Sequence, residues 1–338
     1  MSECKDIDFV ITWVDGSDPA WLREKAYCLN PDLPLDQIDF RDTRYRDWDN
    51  LRYWFRAVET YAPWVRKVHL VTWGHVPQWL NLEAPKLQID CHEDFIPEQY
   101  LPTFSSHPIE LNLHRIPGLA EQFVYFNDDF FLTAPVAPED FFLDGLPRDS
   151  LEESPLLFTM PSIMNSVNTN DVIFANQHFR RDLCRKQNRS KWFSLKDPHA
   201  MAKNLYMLGS RSHYLFGLNI HHLPQAYRKD TFGKVWQADP ELLNETCTHK
   251  FRSASDVSQC VFKFWQLMSG TFQPYDKHKA GRLYQAGRDF DNLCDSIRTR
   301  RYKYICFNDA DEIDFESHKI ALNEVFEQAL PRKSSFEK

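Results

Sequence analysis

Apolar and polar positions along the chain follow two rhythms. The run Ile7-Asp8-Phe9-Val10-Ile11-Thr12-Trp13-Val14 is β-branched and aromatic and stops at Asp15-Gly16-Ser17-Asp18-Pro19, so it predicts a strand delivered into a polar turn. Residues 27–46 read as irregular. Leu51, Trp54, Phe55, Val58 and Tyr61 then recur at helical spacing, with Asp47 expected as N-cap, Pro63 as stop, and Arg52, Arg56 and Glu59 on the opposite face. Residues 65–73 and 87–91 predict two more strands. A helix is expected from His107-Pro108, after the polar loop 101–106. Phe123-Val124-Tyr125-Phe126 predicts a buried strand that runs straight into Asn127-Asp128-Asp129 before aromatics resume at Phe130-Phe131.

The second half is more helical. Asp197-Pro198 opens one helix that Gly209 ends, and Ser255-Asp256 opens another with Val257, Cys260, Val261, Phe264 and Met268 on one face. Residues 302–307 read as a returning strand that ends at Asn308-Asp309-Ala310-Asp311-Glu312, and a last helix carries Leu322, Val325, Phe326 and Ala329. The order predicts an α/β fold with a Rossmann-like central sheet and a helical insertion or second lobe. Residues 1–150 are expected as the α/β half, 151–300 as the mostly helical lobe, and 301–338 as the strand and helix that complete the core. The strands ending at Val14, Trp73, Phe126 and Phe307 are expected to share one sheet, with their polar ends on one side.

Composition narrows the function. A net charge of −8 and a pI near 5.9 lack the basic field of a nucleic-acid binder. No apolar run approaches the ~20 residues that span a bilayer. The cysteines are dispersed without a C-x-x-C pair, which points to neither a zinc ribbon nor a disulfide framework and favours a reducing cytoplasm. Residues 180–191 concentrate basic side chains, expected as a solvated face, with an acidic acceptor or a membrane surface as the alternative.

Paired carboxylates at a strand end repel unless a cation neutralises them, and the Asn-Asp motif appears twice, at 127–129 and 308–309. Oxygen ligands of this kind suit Mg²⁺ or Mn²⁺ bridging nucleotide phosphates, with Asp129, Asn308 and Asp309 expected on the metal. Arg44, Arg46 and Arg52 are candidates for phosphate charge. Neither G-x-G-x-x-G nor a P-loop occurs, which disfavours dinucleotide enzymes and P-loop ATPases. A base that titrates near neutrality points to histidine, and His107, His114 and His221-His222 stand in turn contexts. His249-Lys250-Phe251-Arg252 adds a compact cationic group.

With those residues in view, the chain resembles the Stealth family of sugar-phosphate transferases. The resemblance is carried by residues 7–19, by 44–132 with Asn127-Asp128-Asp129, by His222-Leu223-Pro224 through His249-Lys250-Phe251-Arg252, and by Asn308-Asp309 with Glu312. It implies transfer of a hexose 1-phosphate from a nucleotide sugar, usually a UDP-sugar, to a hydroxyl of a glycan, with release of the nucleoside monophosphate. It further implies a donor site lined by Thr12, Trp13, Asp15, Gly16, Arg44, Arg46, Arg52, Asn127 and His107 from the first half, with His249 from the second. His222, Asp128 and Arg252 would then act on the reacting phosphates, with His222 as base or phosphoryl stabiliser. The expected setting is capsule or exopolysaccharide synthesis in the cytoplasm, peripheral to membrane-bound assembly machinery. Two other readings stand beside it: a metal-dependent glycosyltransferase that releases UDP, and a noncatalytic glycan-binding protein.

Overall fold

The computed structural model describes residues 6–29, 46–158, 160–310 and 313–338. Arg44, Asp311, Glu312 and most of the 27–46 stretch lie outside the described residues. In chain order the strands are β1 (Ile7–Thr12), β2 (Val68–Thr72), β3 (Leu87–Cys91), β4 (Gln122–Phe126), β5 (Phe130–Leu132), β6 (Phe142–Leu143), β7 (Leu146–Asp149), β8 (Gln225–Arg228), β9 (Gln273–Pro274), β10 (Gly281–Gln285) and β11 (Tyr304–Asn308). The central sheet has the order β3-β2-β1-β4-β8, parallel throughout except for the antiparallel edge strand β8. This is the expected α/β, Rossmann-like core.

Strand alternation divides the core. Ile7, Phe9 and Ile11 of β1 and Val124 and Phe126 of β4 pack on one face with Trp54, Phe55 and Val58 from the helix Leu51–Tyr61. Val10, Phe123 and Tyr125 face the other way, against Phe232, Val235 and Val261. A third cluster, with Trp192, Leu215 and Phe264, belongs to the helical part. Chain from the 151–300 stretch supplies β8 to the central sheet and β10 to a second one.

That second sheet corrects one expectation. Strand β11 does not join the central sheet; it lies in a three-stranded sheet of order β10-β11-β5. The physical reason is the turn at Asn127-Asp128-Asp129, where the Phe130 N–H donates to the Asn127 carbonyl at 3.1 Å. The chain leaves β4 in one sheet and enters β5 in the other, so β5 presents its edge to β11.

Local expectations differ in places. Asn50, not Asp47, is the N-cap of the helix Leu51–Tyr61, because the Asp47 carboxylate accepts from the Asp49 N–H at 2.7 Å. Arg56 of that helix is buried rather than solvated, bonded to Glu337 at 2.9 and 3.0 Å, to Glu327 at 2.8 Å and to the Leu330 carbonyl at 2.9 Å. The turn at Asp18-Pro19 starts a helix, Pro19–Leu29, whose first-turn N–H groups at Ala20 and Trp21 donate to the Asp18 carboxylate. The helix expected from Ser255-Asp256 begins only at Cys260. The 180–191 stretch is not all solvated face: Arg181 is fully buried on Glu153 at 2.6 Å, and the Lys191 ammonium donates to the carbonyls of Gly270 and Phe272.

Candidate active site

In open α/β sheets ligands bind beyond the carboxyl ends of the strands, where the strand order reverses. Here that point lies between β1 and β4, since β2 and β3 follow on one side of β1 and β4 lies on the other. The carboxyl ends of these two strands carry Thr12, Trp13 and Asp15 on one side and Asn127, Asp128 and Asp129 on the other.

The Asn127-Asp128-Asp129 turn is tied to both sheets. The Asp129 carbonyl accepts from the Phe307 N–H of β11 at 3.2 Å, and the Asp129 Oδ2 accepts from the Cys306 thiol at 3.2 Å. His222 approaches the same carboxylate, Nε2 to Oδ2 at 3.5 Å, with its ring edge-on to Phe130. Two side-chain oxygens in this turn, Asn127 Oδ1 and Asp129 Oδ1, are buried and make no hydrogen bond to any described residue. Buried oxygens normally have partners, so this pair has capacity for a donor or a hard cation. Cys306 is held as a thiol, its pKa pushed well up by burial and by Asp129.

The Asp128 side chain is exposed to solvent at the turn, yet desolvation by the surrounding protein and the charge of Asp129 raise its pKa to about 7, with a further push from Asp47. Desolvation also raises Asp47, with Asp49 and Asp15 adding to it, so acidic groups from several segments share one region. For His222 desolvation favours the neutral ring, but the hydrogen bond and charge of Asp129 outweigh it and the pKa is raised.

A second network flanks the turn. The Tyr125 hydroxyl pairs with Thr12 Oγ1 and donates to Glu110 Oε1, each at 3.2 Å. Burial raises the Glu110 carboxyl, and the nearby His107 and Arg252 oppose that. Asp256 holds two rings at once, His107 Nδ1 at 2.8 Å and His249 Nδ1 at 2.7 Å. Arg252 donates to Ser106 Oγ at 3.2 Å and makes no ion pair among the described residues, although its charge is felt at both Glu110 and His222.

The remaining expected residues are dispersed around this centre. Asp15 accepts from Ser17 with its side chain, while its N–H donates to His75 Nε2 at 2.7 Å; desolvation keeps that imidazole's pKa low. Trp13 lies edge-on to the same ring, and Gly16 belongs to the turn between Asp15 and Ser17. Arg46 stacks on Phe315 and donates to Asp309 Oδ2 at 2.9 Å and to the Ala310 carbonyl at 2.8 Å. The other Asp309 oxygen accepts from the Ala310 N–H. Asn308 Oδ1 lies 3.5 Å from the Cys306 sulfur, so the second Asn-Asp pair does border the first. Arg52 faces elsewhere, into a groove with Asp49, Lys319, Asn323 and Glu327. His114 is half-buried beside Phe232 and Trp236, its pKa pushed down to about 3 by desolvation.

Four participants were not singled out from the sequence: Glu110, Tyr125, Asp256 and Cys306. Tyr125 and Cys306 are hidden inside apolar strand patterns, and Asp256 reads locally as a helix opener.

The chain is similar to known proteins over its whole length. Residues 5–30 match Stealth protein CR1, conserved region 1; residues 44–148 match Stealth protein CR2, conserved region 2; residues 295–338 match Stealth protein CR4, conserved region 4. A capsular polysaccharide phosphotransferase WcwK of Streptococcus pneumoniae is 38% identical over 344 residues, covering 100% of both chains. The receptor polysaccharide phosphotransferase WefC of Streptococcus oralis is 38% identical, covering 98% of this chain and 99% of its own. The exopolysaccharide phosphotransferase cps2G of Lactiplantibacillus plantarum is 36% identical, covering 98% and 96%. Among solved structures, apo mouse xyloside xylosyltransferase 1 aligns with 90% of this chain and 98% of its own at 12% identity, but its TM-score of 0.36 carries no argument.

Proposed function

The chain belongs to the Stealth family and is a transferase enzyme, and from that membership we propose that it moves a hexose 1-phosphate from a nucleotide sugar, a UDP-sugar, to a hydroxyl of a glycan acceptor in capsular or exopolysaccharide synthesis. The observation that carries the reading is the meeting of His222 with the Asp128-Asp129 turn at the carboxyl end of β4, together with an Arg252 that no carboxylate among the described residues neutralises.

In this reading the acceptor oxygen attacks the phosphorus that bears the sugar. The new P–O bond forms as the bond from that phosphorus to the bridging oxygen breaks; the nucleoside monophosphate leaves with the electron pair, and the anomeric C–O bond survives. Asp128, titrating at about 7, is matched to accept the hydroxyl proton near neutrality. His222, whose pKa Asp129 raises and whose cationic form it thereby favours, and Arg252 face the charge that develops on the transferring phosphoryl group. Asp256 fixes the His107 and His249 rings beside the donor.

The oxygen donors of the turn fit Mg²⁺ or Mn²⁺, with Asn127 and Asp129 as holders and Asn308 adjacent. Asp309, engaged by Arg46 and by its neighbour's N–H, acts in this scheme by positioning that guanidinium. When bound, the cation supplies neutralisation of diphosphate charge.

The test is incubation with a panel of nucleotide sugars and a glycan acceptor, with and without EDTA. Release of nucleoside monophosphate together with a phosphodiester product is expected; release of nucleoside diphosphate would replace the reading with glycosyl transfer, and binding without turnover would replace it with a glycan-binding role.

Work at the cytoplasmic face of a membrane is part of the same proposal. No helix among the described residues is long and apolar enough to cross a membrane, whereas Leu157, Leu195 and Tyr206 of the helical part are more than four-fifths exposed, at 86%, 83% and 85%. Co-sedimentation with anionic vesicles is expected, and its absence at low salt would remove the membrane from the proposal.

A further inference from the structure

Away from the turn, three distant segments bring metal-ligand chemistry together. Glu152 follows β7, His221 precedes β8, and His278 lies in the short helix Lys277–Ala280 ahead of β10. One ligand atom from each lies within 4.8 Å of the others. The Glu152 Oε2 is 2.7 Å from His278 Nε2 and 3.5 Å from His221 Nε2. The rings of His221 and His278 meet edge to face at 4.6 Å, and that of His199 lies 4.8 Å from His278.

Burial makes this more than a cluster. The side chains of Glu152 and His221 are only 1% and 6% exposed. Even so, His221 Nε2 is buried without a hydrogen-bond partner among the described residues, and it points at a carboxylate that already serves His278. An orphaned imidazole nitrogen facing a carboxylate and a second imidazole is what a vacant nitrogen-and-oxygen metal site presents.

We propose that Glu152, His221 and His278 bind a divalent transition-metal ion of the zinc class, separate from the Asn127-Asp128-Asp129 turn. Ligand bonds of about 2.0–2.2 Å in a tetrahedral array put donor atoms roughly 3.3 Å apart. The His221 to Glu152 separation already suits that, and the His278 to Glu152 contact has to open by about 0.6 Å. His278 is 40% exposed and has room to move. The fourth position opens on a cavity of about 600 Å³ lined by His199, Lys203 and Asn219, where water or His199 completes the set. Lys203 is the opposing charge, 3.4 Å from the other Glu152 oxygen, but it is 56% exposed and free to withdraw. The donor set is too rich in nitrogen for Mg²⁺, so the ion differs in kind from the one proposed at the turn. It would clamp the exit of β7, the segment ahead of β8 and the entry to β10, and so hold in place the backbone of His222, the next residue after a ligand.

The test uses the full chain stripped with EDTA and reloaded with CoCl₂ or ZnCl₂ alone. Wild type is expected to retain one equivalent through gel filtration in a form that His278→Gln and Glu152→Gln lose, with the visible absorption of tetrahedral Co²⁺ lost alongside. Asp129→Asn should keep that equivalent, because its site is the other one. Added Zn²⁺ should raise the melting temperature of wild type but not of His278→Gln. Failure of wild type to retain metal would overturn the proposal even if a variant does not fold. So would equal uptake by His278→Gln, or loss of the equivalent in Asp129→Asn instead.

Discussion

Replacing Asp129 by Asn keeps the shape of the turn and removes one charge. In the wild type that charge sits 3.5 Å from His222 Nε2 and raises the pKa of both His222 and Asp128. Two unit charges at this separation interact by about 1 kcal/mol in bulk water and by about 5 kcal/mol at an effective dielectric near 20. The ring is 39% exposed and the carboxylate 24%, which places the pair in the lower part of that range, about 1–3 kcal/mol. If the cationic ring serves the transition state, kcat/KM at saturating Mg²⁺ should fall roughly 5- to 150-fold. The pH profile adds a signature that a merely structural defect lacks. Without the neighbouring charge, Asp128 ionises at lower pH and the acidic limb moves down; His222 loses its proton at lower pH and the alkaline limb moves down with it. Monophosphate release measured across pH would show the whole bell displaced to lower pH. A bell in its original place, or a rate within about twofold of wild type, would refute the assignment of both groups.

Other expectations follow from the same geometry. Asp256→Asn removes the charge that holds His107 and His249; with bonds to a charged group worth about 1.5–3 kcal/mol, donor KM should rise at least ~10-fold in a folded variant, and an unchanged KM would remove these rings from the donor site. Arg56→Ala strands the Glu337 carboxylate, itself 5% exposed, and should cost about 3–5 kcal/mol in urea unfolding; a change below about 1 kcal/mol would show that the C-terminal segment is not anchored there. Buried His69 bridges Asp8 and Asp90; desolvation opposes its charge, but the two carboxylates win and raise its pKa. Its contribution is therefore full below the ordinary value of 6.5 and lost as pH rises through the folded-state value, a decline in stability that His69→Gln should lack.

What could be read in advance depended on how local the cause is. Strands β1 to β4 announce themselves because Ile7, Phe9, Val68, Leu70, Phe123 and Val124 form short buried runs closed by turn residues. Strands β8 and β10 are short and carry Gln225, Arg228, Arg282 and Gln285, so only their partners make them strands. The helix Pro19–Leu29 escapes notice because it buries little beyond Trp21 and Ala26. The Asn127-Asp128-Asp129 segment is legible as charge where a strand ends, and His222 as a histidine in a turn, but their contact joins residues far apart in the chain. The same holds for Asp256 and His107, separated by 149 positions: no spacing rule reaches that far. The second Asn-Asp pair shows the limit in reverse, since Asp309 carries a metal-like signature yet spends its oxygens on Arg46 and Ala310.

The turn between β4 and β5 has a mechanical meaning. Asp129 is fastened to two sheets at once, through the covalent chain on the β4 side and, on the β11 side, through its carbonyl, which accepts from the Phe307 N–H, and its carboxylate, which accepts from the Cys306 thiol. Any displacement of one sheet against the other must therefore rotate Asp128 and Asp129 about this joint. In the proposed reaction, a ligand that pressed on the β10-β11-β5 sheet would re-aim the groups of this turn, and one drawn in at β1 and β4 would press back on that sheet. The joint between them is three residues long.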